Sequence, residues 1–229
     1  KFYDFFCEDH SAGALMAWAW GVSRMIDALE KTPDANINLQ RLGVTGCSRN
    51  GKGALAVGAF DDRIALTILQ ESGAGGSASY RVSESHDGAQ SLGHVSNENV
   101  WFRESFSQFG RNVDKLPFDQ HMIQGLIAPR ALLIIENDIA WLGPRSSWTC
   151  AKATHTMWEA LGVPDKMGYS GWTAHNHCQY VDQQLPELRA YVEKFMVGSG
   201  SCDTNVMETE IDATYDKEKW VNWSVPDLQ

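Results

Sequence analysis

The sequence predicts an α/β fold, and three observations support this prediction. Residues 63–69 and 131–135 form nearly continuous apolar runs, which are typical of parallel strands buried on both faces. Helical patterns of apolar residues alternate with these runs along the chain. A short apolar segment also ends at Gly46, is followed closely by Ser48 and leads into a helical pattern, which predicts a strand, a sharp turn and a helix. At 229 residues, of which 43% are hydrophobic, the chain is long enough to form one sizeable core.

The individual elements are predicted from their periodicity and their boundary residues. The first helix begins near Asp9 or Ser11, either of which can cap it. The apolar run at 63–69 leads directly to Gln70 and Glu71, so a carboxylate stands where α/β sheets place their chemistry. Residues 72–99 contain many Gly and Ser and few periodic apolar residues, which predicts a long surface loop. Helices are predicted at 11–30, directly after residue 48, at 99–109, 118–127 and 146–161 and around 185–195, and strands at 41–46, 63–69, 131–135 and 166–171.

Composition and charge exclude some classes of function. The net charge is −10 and the pI is about 5.1, and no run of Lys or Arg offsets this balance, so a nucleic-acid partner is not expected. The sequence contains no stretch of 18 apolar residues and no basic-then-apolar leader, so we expect neither a membrane span nor a retained signal peptide. We therefore expect a soluble chain that has been processed or cut. Five cysteines occur without the Cys-x-x-Cys spacing of zinc sites, which favours disulfides and leaves one thiol over.

A serine, a carboxylate and a histidine follow predicted strands in an order that points to nucleophilic catalysis. A serine nucleophile needs an imidazole to take its proton, and the imidazole needs a carboxylate to fix its tautomer. In α/β-hydrolases these groups occur in the order serine, acid, histidine. This chain offers Ser48, then Glu71 or Glu136, then His175 or His177, all at predicted strand ends. The sequence therefore favours esterase-like chemistry.

Two cysteines flank the candidate catalytic residues. Cys47 precedes Ser48, and Cys178 follows His177. A disulfide between them would hold their Cα atoms about 5.5 Å apart. We therefore expect a Cys47–Cys178 bridge, which would bring the serine and the histidine together.

Three segments of the sequence resemble the glucuronoyl esterases of carbohydrate esterase family 15. They are GCSRNGKGA at 46–54, QESGAGG at 70–76 and HNHC at 175–178. The resemblance covers most of residues 1–197, so we divide the chain into a catalytic domain at 1–197 and an acidic tail at 198–229 that wraps the surface or is poorly ordered. It implies a secreted, metal-free and cofactor-free α/β-hydrolase with a three-layer sandwich. The implied reaction is cleavage of the ester between a (4-O-methyl-)glucuronic acid branch of xylan and a lignin alcohol.

The resemblance also implies roles for individual residues. Ser48 would be the nucleophile, His177 the base and Glu71 the acid, although Glu136 stays open because many α/β-hydrolases place the acid after the corresponding strand. Arg49 would stabilise the oxyanion, and its guanidinium and backbone N–H suit a developing negative charge. The residues matching those that hold the uronate are Lys52, Gln90, Glu98 and Trp141. Without the resemblance, these four would be a solvated lysine, two residues that cap local turns and a core tryptophan.

The chain also departs from the family pattern. The serine comes as early as residue 48, so we expect the N-terminal strands of the family's sheet to be missing from this chain. Ser79-Tyr80 stands where Cys-Trp is usual, which leaves Cys150 without its expected partner. The sequon at Asn222 is compatible with secretion and glycosylation, and we expect a monomer. Two alternatives stay open: an esterase of the same fold acting on acetylated or feruloylated xylan, and a non-catalytic carbohydrate-binding fragment.

Overall fold

A computed structural model describes residues 2–98, 100–199 and 202–228. In these residues five strands form one sheet in chain order, and every neighbouring pair is parallel. The strands are β1 Leu42–Cys47, β2 Ile64–Gln70, β3 Ala131–Glu136, β4 Met167–Gly171 and β5 Met207–Thr209. The α-helices are α1 Phe2–Phe6, α2 Ala14–Glu30, α3 Arg49–Phe60, α4 Tyr80–Glu84, α5 Leu92–Glu98, α6 Gln120–Gly125, α7 Pro144–Ala160, α8 Gln184–Val192 and α9 Lys217–Trp220.

Helices cover both faces of the sheet, because its central strands are apolar on both faces. All six residues of β3 are buried. Leu132 and Ile134 belong to a core cluster that contains Trp158 of α7, whereas Leu133 belongs to a second cluster with Tyr191 of α8. Successive side chains of a strand point to opposite faces, so these two clusters lie on opposite faces of the sheet. The predicted three-layer α/β architecture is confirmed.

Helix α2 begins without the side-chain cap that the sequence suggests. Its N-cap is Gly13, and no side chain accepts a hydrogen bond there. Instead, the first N–H groups of the helix, from Ala14 and Leu15, donate to the carbonyls of Val100 and Trp101. A Cβ at Gly13 would lie 2.4 Å from Trp101 O, so only glycine allows this close approach. A distant backbone segment therefore caps the helix.

The predicted helix at 99–109 is corrected. The structure has α5 at Leu92–Glu98 and a 3₁₀ helix at Glu104–Phe109, and residue 99 lies outside the described residues. Phe102, Phe106 and Phe109 have helical spacing, but they pack into an aromatic and aliphatic cluster around Tyr80. Their spacing reflects this tertiary packing.

Strand β5 lies in the segment that the sequence analysis interprets as a tail. Met207–Thr209 pairs with Tyr169–Gly171 of β4, and Tyr169 N–H donates to Val206 O. The strand is short and only partly buried, so it lacks the apolar run by which the other strands are recognised. In the described part of the chain, no helix combines the length and the apolar character needed to cross a bilayer.

Candidate active site

Ser48 occupies a sharp turn between β1 and α3. Its backbone has φ 58° and ψ −126°, a conformation that non-glycine residues rarely adopt. Its N–H donates to Gln70 O of the neighbouring strand at 2.9 Å. The glycines on either side allow this turn, since a Cβ at Gly46 would lie 2.3 Å from Asn50 O and a Cβ at Gly51 would lie 2.7 Å from Ser72 Cβ. The strained serine and these close contacts are typical of a nucleophile elbow.

Glu71 and His177 form a hydrogen-bonded pair next to this turn. Glu71 follows β2, is fully buried and also has a positive φ, of 46°. Its Oε2 accepts a hydrogen bond from His177 Nδ1 at 2.7 Å and another from the Cys178 N–H at 2.7 Å. The carboxylate thereby favours the imidazole tautomer with its proton on Nδ1. That tautomer leaves Nε2 free to accept a proton.

The Nε2 atom of His177 is buried and, in the part of the chain that the structure describes, unpaired, as expected of a base that accepts a proton. It is buried and has no hydrogen-bond partner among the described residues, Ser48 included. The Trp141 ring meets the imidazole edge to face, with the ring centroids 4.9 Å apart. Catalytic hydrogen bonds are often long before substrate binds. The absence of a hydrogen bond between Ser48 and His177 Nε2 is therefore compatible with Ser48 as the proton donor.

A disulfide joins the serine side of the site to the histidine side. It links Cys47 to Cys178, with Cα atoms 5.7 Å apart and a sequence separation of 131. The bond therefore holds together the two chain segments that carry Ser48 and His177. A carboxylate oxygen of Glu71, a ring nitrogen of His177 and the two sulfur atoms all lie within 4.8 Å of one another. Both sulfur atoms are already used in the disulfide bond. The three other cysteines, Cys7, Cys150 and Cys202, are free thiols.

Glu136, the other candidate acid, has different surroundings. It ends β3, is fully buried and accepts hydrogen bonds on Oε1 from the hydroxyls of Ser77 and Ser147. Its Oε2 has no hydrogen-bond partner among the described residues. Burial raises the pKa of its carboxyl to about 8, and the nearby Glu71 carboxylate adds to the shift. Glu136 is therefore a neutral acid below pH 8, whereas Glu71 is the carboxylate bonded to the imidazole of His177.

His175, the other candidate base, lies beside the same carboxylate. Its Nδ1 is 3.6 Å from Glu71 Oε1, and its side chain is only 4% exposed. The other carboxylate oxygen, Oε2, accepts the short hydrogen bond from His177. His175 is thus next to the carboxylate but does not hold the hydrogen bond expected of the base.

Lys52 is buried on the first turns of α3, so it is not a solvated lysine. Its Nζ donates to the carbonyls of Ser72 and Ala74 at 2.5 and 2.7 Å. Burial lowers its pKa to about 8, although the negative charge of Glu98 opposes the shift. An ammonium has three donors, so one remains for a ligand.

The other predicted site residues differ in their exposure. Arg49 is exposed, with its guanidinium 5.8 Å from the Trp101 ring centroid. Trp141 is 41% exposed, so it is not a core residue. Gln90 is half-buried, and its N–H donates to Trp141 O at 3.0 Å. Glu98 is exposed at the end of α5 and acts electrostatically on Lys52.

The segment after Glu71 corrects the predicted surface loop at 72–99. Residues 71–80 are all buried, and α4 and α5 follow them. Serines of this segment are hydrogen-bonded internally: Ser72 Oγ accepts from Ser77 N–H, and Ser79 Oγ donates to Asp119. The Gly and Ser content that predicts a loop also permits close packing of backbone. The roles of Ser77 and Ser147 had no sequence signal, because their contacts with Glu136 depend on the fold.

Comparisons with known proteins show which family the chain resembles. The family model of fungal glucuronyl esterases matches residues 1–162. The chain is 49% identical to a 4-O-methyl-glucuronoyl methylesterase of Hypocrea jecorina over all of this chain and 50% of that protein. It is 48% identical to a protein of the same name from Phanerochaete chrysosporium, over 99% of this chain and 50% of that one. The chain thus spans about half the length of these curated relatives.

Solved structures of glucuronoyl esterases also resemble the chain. The glucuronoyl esterase catalytic domain from Hypocrea jecorina superposes with a TM-score of 0.95 at 47% identity, over 100% of this chain and 63% of that one. A serine-to-alanine mutant of the Sporotrichum thermophile glucuronoyl esterase, in complex with methyl 4-O-methyl-β-D-glucopyranuronate, superposes with a TM-score of 0.95 at 44% identity, over 100% and 63% of the two chains. These likenesses confirm the predicted α/β-hydrolase fold.

Proposed function

Because the chain belongs to the glucuronoyl esterase family, we propose that it is a serine esterase that cleaves esters of (4-O-methyl-)glucuronic acid. The natural substrate would be the ester between a glucuronic acid branch of xylan and a lignin alcohol. One observation carries the chemical part of this proposal: the buried Glu71 carboxylate binds His177 Nδ1 at 2.7 Å, beside a serine in a strained elbow. The proposed substrate is based on the similarity of the chain to the methylesterase of Hypocrea jecorina and to the esterase of Sporotrichum thermophile.

The reaction begins at the hydroxyl of Ser48. His177 Nε2 takes the hydroxyl proton as Oγ attacks the uronate carbonyl carbon, and Glu71 stabilises the imidazolium that forms. The carbonyl oxygen becomes an oxyanion, which the backbone N–H and the guanidinium of Arg49 stabilise. The alcohol then leaves with the proton from the imidazolium. Water, deprotonated by His177 in turn, hydrolyses the acyl-enzyme and releases the uronate.

Four side chains around this chemistry would bind the sugar. The ammonium of Lys52 has one donor left for a uronate oxygen and is held rigidly by two carbonyls. Gln90 and Glu98 supply an amide and a carboxylate for sugar hydroxyls, and Trp141 supplies an exposed indole. This mixture of donors, acceptors and an apolar ring suits a hydroxyl-rich substrate.

The proposal is tested with benzyl glucuronate and the Ser48→Ala variant. We expect the wild type to release benzyl alcohol, and the variant to lose at least about a thousandfold in kcat, since only the nucleophile is removed. Ser105→Ala, an exposed serine outside the site, is the matched control and should behave as wild type. Equal rates for wild type and Ser48→Ala would exclude the proposed nucleophile. Cleavage of acetylated or feruloylated xylan, with no activity on the uronate ester, would reassign the substrate.

Secretion, glycosylation and a monomeric state belong to the same proposal. Asn222 and Ser224 of the sequon are both exposed, so an oligosaccharide transferase could reach them in a secreted chain. Expression in a secreting eukaryotic host should give a protein whose mass falls on treatment with an N-glycosidase. The Asn222→Gln variant should show no such change, and light scattering should give the mass of one chain.

A further inference from the structure

The mechanism leaves one buried histidine at the site without a role. His175 lies two residues before His177, and its side chain is 4% exposed. It faces Glu71 Oε1, while His177 and the Cys178 N–H occupy Oε2. The two oxygens of the carboxylate therefore meet two different imidazoles.

The Oε1 atom of Glu71 is poorly satisfied without His175. It is buried and has no hydrogen-bond partner among the described residues. The Nδ1 atom of His175, at 3.6 Å, lies just beyond hydrogen-bond distance. A buried carboxylate oxygen without a donor is costly, so a donor at this position stabilises the ionised acid.

The ring of His175 is surrounded by oxygen acceptors. Its Nε2 lies 3.2 Å from Trp172 O, and its Nδ1 lies 3.2 Å from Asn176 O as well as 3.6 Å from Glu71 Oε1. A hydrogen on Nδ1 would point toward Asn176 O and Glu71 Oε1. The surroundings therefore fit a donor that faces the carboxylate.

We propose that His175 is a positioning residue that holds the Glu71 carboxylate, through Oε1, in the orientation that presents Oε2 to His177. This inference rests on the proposed function, in which Glu71 orients the catalytic imidazole. His175 acts through Glu71 and touches neither the nucleophile nor the sugar in this scheme. Its loss should therefore affect turnover and leave substrate binding almost unchanged.

Two substitutions separate donation from packing. His175→Phe keeps a planar ring and removes the donor, whereas His175→Gln keeps a donor amide. With benzyl glucuronate we expect His175→Phe to lower kcat by about tenfold with KM within about twofold, because Glu71 Oε1 would no longer face the imidazole donor. We expect His175→Gln to retain kcat within about threefold. His94→Gln, an exposed histidine, is the control.

The folding of each variant is checked by its Tm and its circular dichroism spectrum before its kcat is compared with that of wild type. An unchanged kcat in His175→Phe would overturn the proposal, and so would equal losses of kcat in the Phe and Gln variants. If His175→Phe folds poorly, His175→Leu provides the same comparison without a donor.

A second measurement distinguishes failure of this proposal from failure of the proposed substrate. A fluorophosphonate labels an activated serine whatever ester the enzyme prefers, so the rate at which Ser48 is labelled reports the catalytic group alone. Wild type that is labelled but inactive on benzyl glucuronate would exclude the substrate only. In that case slower labelling of His175→Phe, restored in His175→Gln, would still support the role of His175. Unlabelled wild type would overturn both proposals.

Discussion

Replacing Glu71 by Gln tests the assignment of the acid. The amide keeps an oxygen that can accept the hydrogen bonds now made by His177 Nδ1 and the Cys178 N–H, both at 2.7 Å. What it removes is the negative charge opposite the imidazolium that forms in the transition state. With the two charge centres about 4 Å apart and an effective dielectric constant of about 20, this attraction amounts to about 4 kcal/mol. Glu71→Gln should therefore lower kcat about a thousandfold.

The matched control is Glu136→Gln. Burial raises the pKa of Glu136 to about 8, so at pH 6.5 the native group is already a neutral acid and the amide changes no charge. Its oxygen still accepts from the hydroxyls of Ser77 and Ser147. We expect kcat within about threefold of wild type on benzyl glucuronate. A thousandfold loss in Glu136→Gln, with near-normal turnover in Glu71→Gln, would show that the acids are assigned the wrong way round.

Three further predictions concern the disulfide, the elbow and acid stability. Reducing the Cys47–Cys178 bond, whose cysteines are separated by 131 in sequence, should lower kcat and should lower the free energy of unfolding by up to about 5 kcal/mol. In urea unfolding, a Cys47→Ser/Cys178→Ser variant should not respond to dithiothreitol. Gly46→Ala should give little folded protein, since the new Cβ would lie 2.3 Å from a backbone carbonyl oxygen; normal yield and Tm would contradict this packing argument. Hydrogen bonds from Arg63 hold the pKa of Asp61 at about 2, below its ordinary 3.8. The stability that Asp61 contributes is thus present above pH 3.8 and lost as pH falls toward 2, so the Tm of Asp61→Asn should vary less than that of wild type across this window.

The parts of the site that are local in sequence could be predicted, and the parts that depend on packing could not. The elbow has a local signal, because Gly46, Ser48 and Gly51 stand within six residues and the two glycines allow the close contacts of one turn. Glu71 and Glu136 both follow buried strands, so the pattern alone leaves the acid open. The contact between Glu71 and His177, residues 106 apart, distinguishes them in the structure.

Small residues caused the main error of interpretation. Gly and Ser after Glu71 suggest a solvated loop, but residues 71–80 are buried because small side chains let the backbone pack against its neighbours. The sequence also gives no sign of strand β5, because a three-residue strand at the edge of a sheet carries no apolar run. Neither segment has a periodicity from which its place in the fold could be recognised.

The parallel sheet separates the chemistry from the opposite edge of the molecule. Every strand runs in the same direction, so Ser48 and Glu71 come after the ends of β1 and β2, whereas the turn at Asp62 precedes the start of β2. The seven residues of β2 span about 23 Å at 3.3 Å per residue. Asp62 is exposed, and a tether attached there would leave the sheet edge that carries Ser48 open to the polymer that we propose as the substrate.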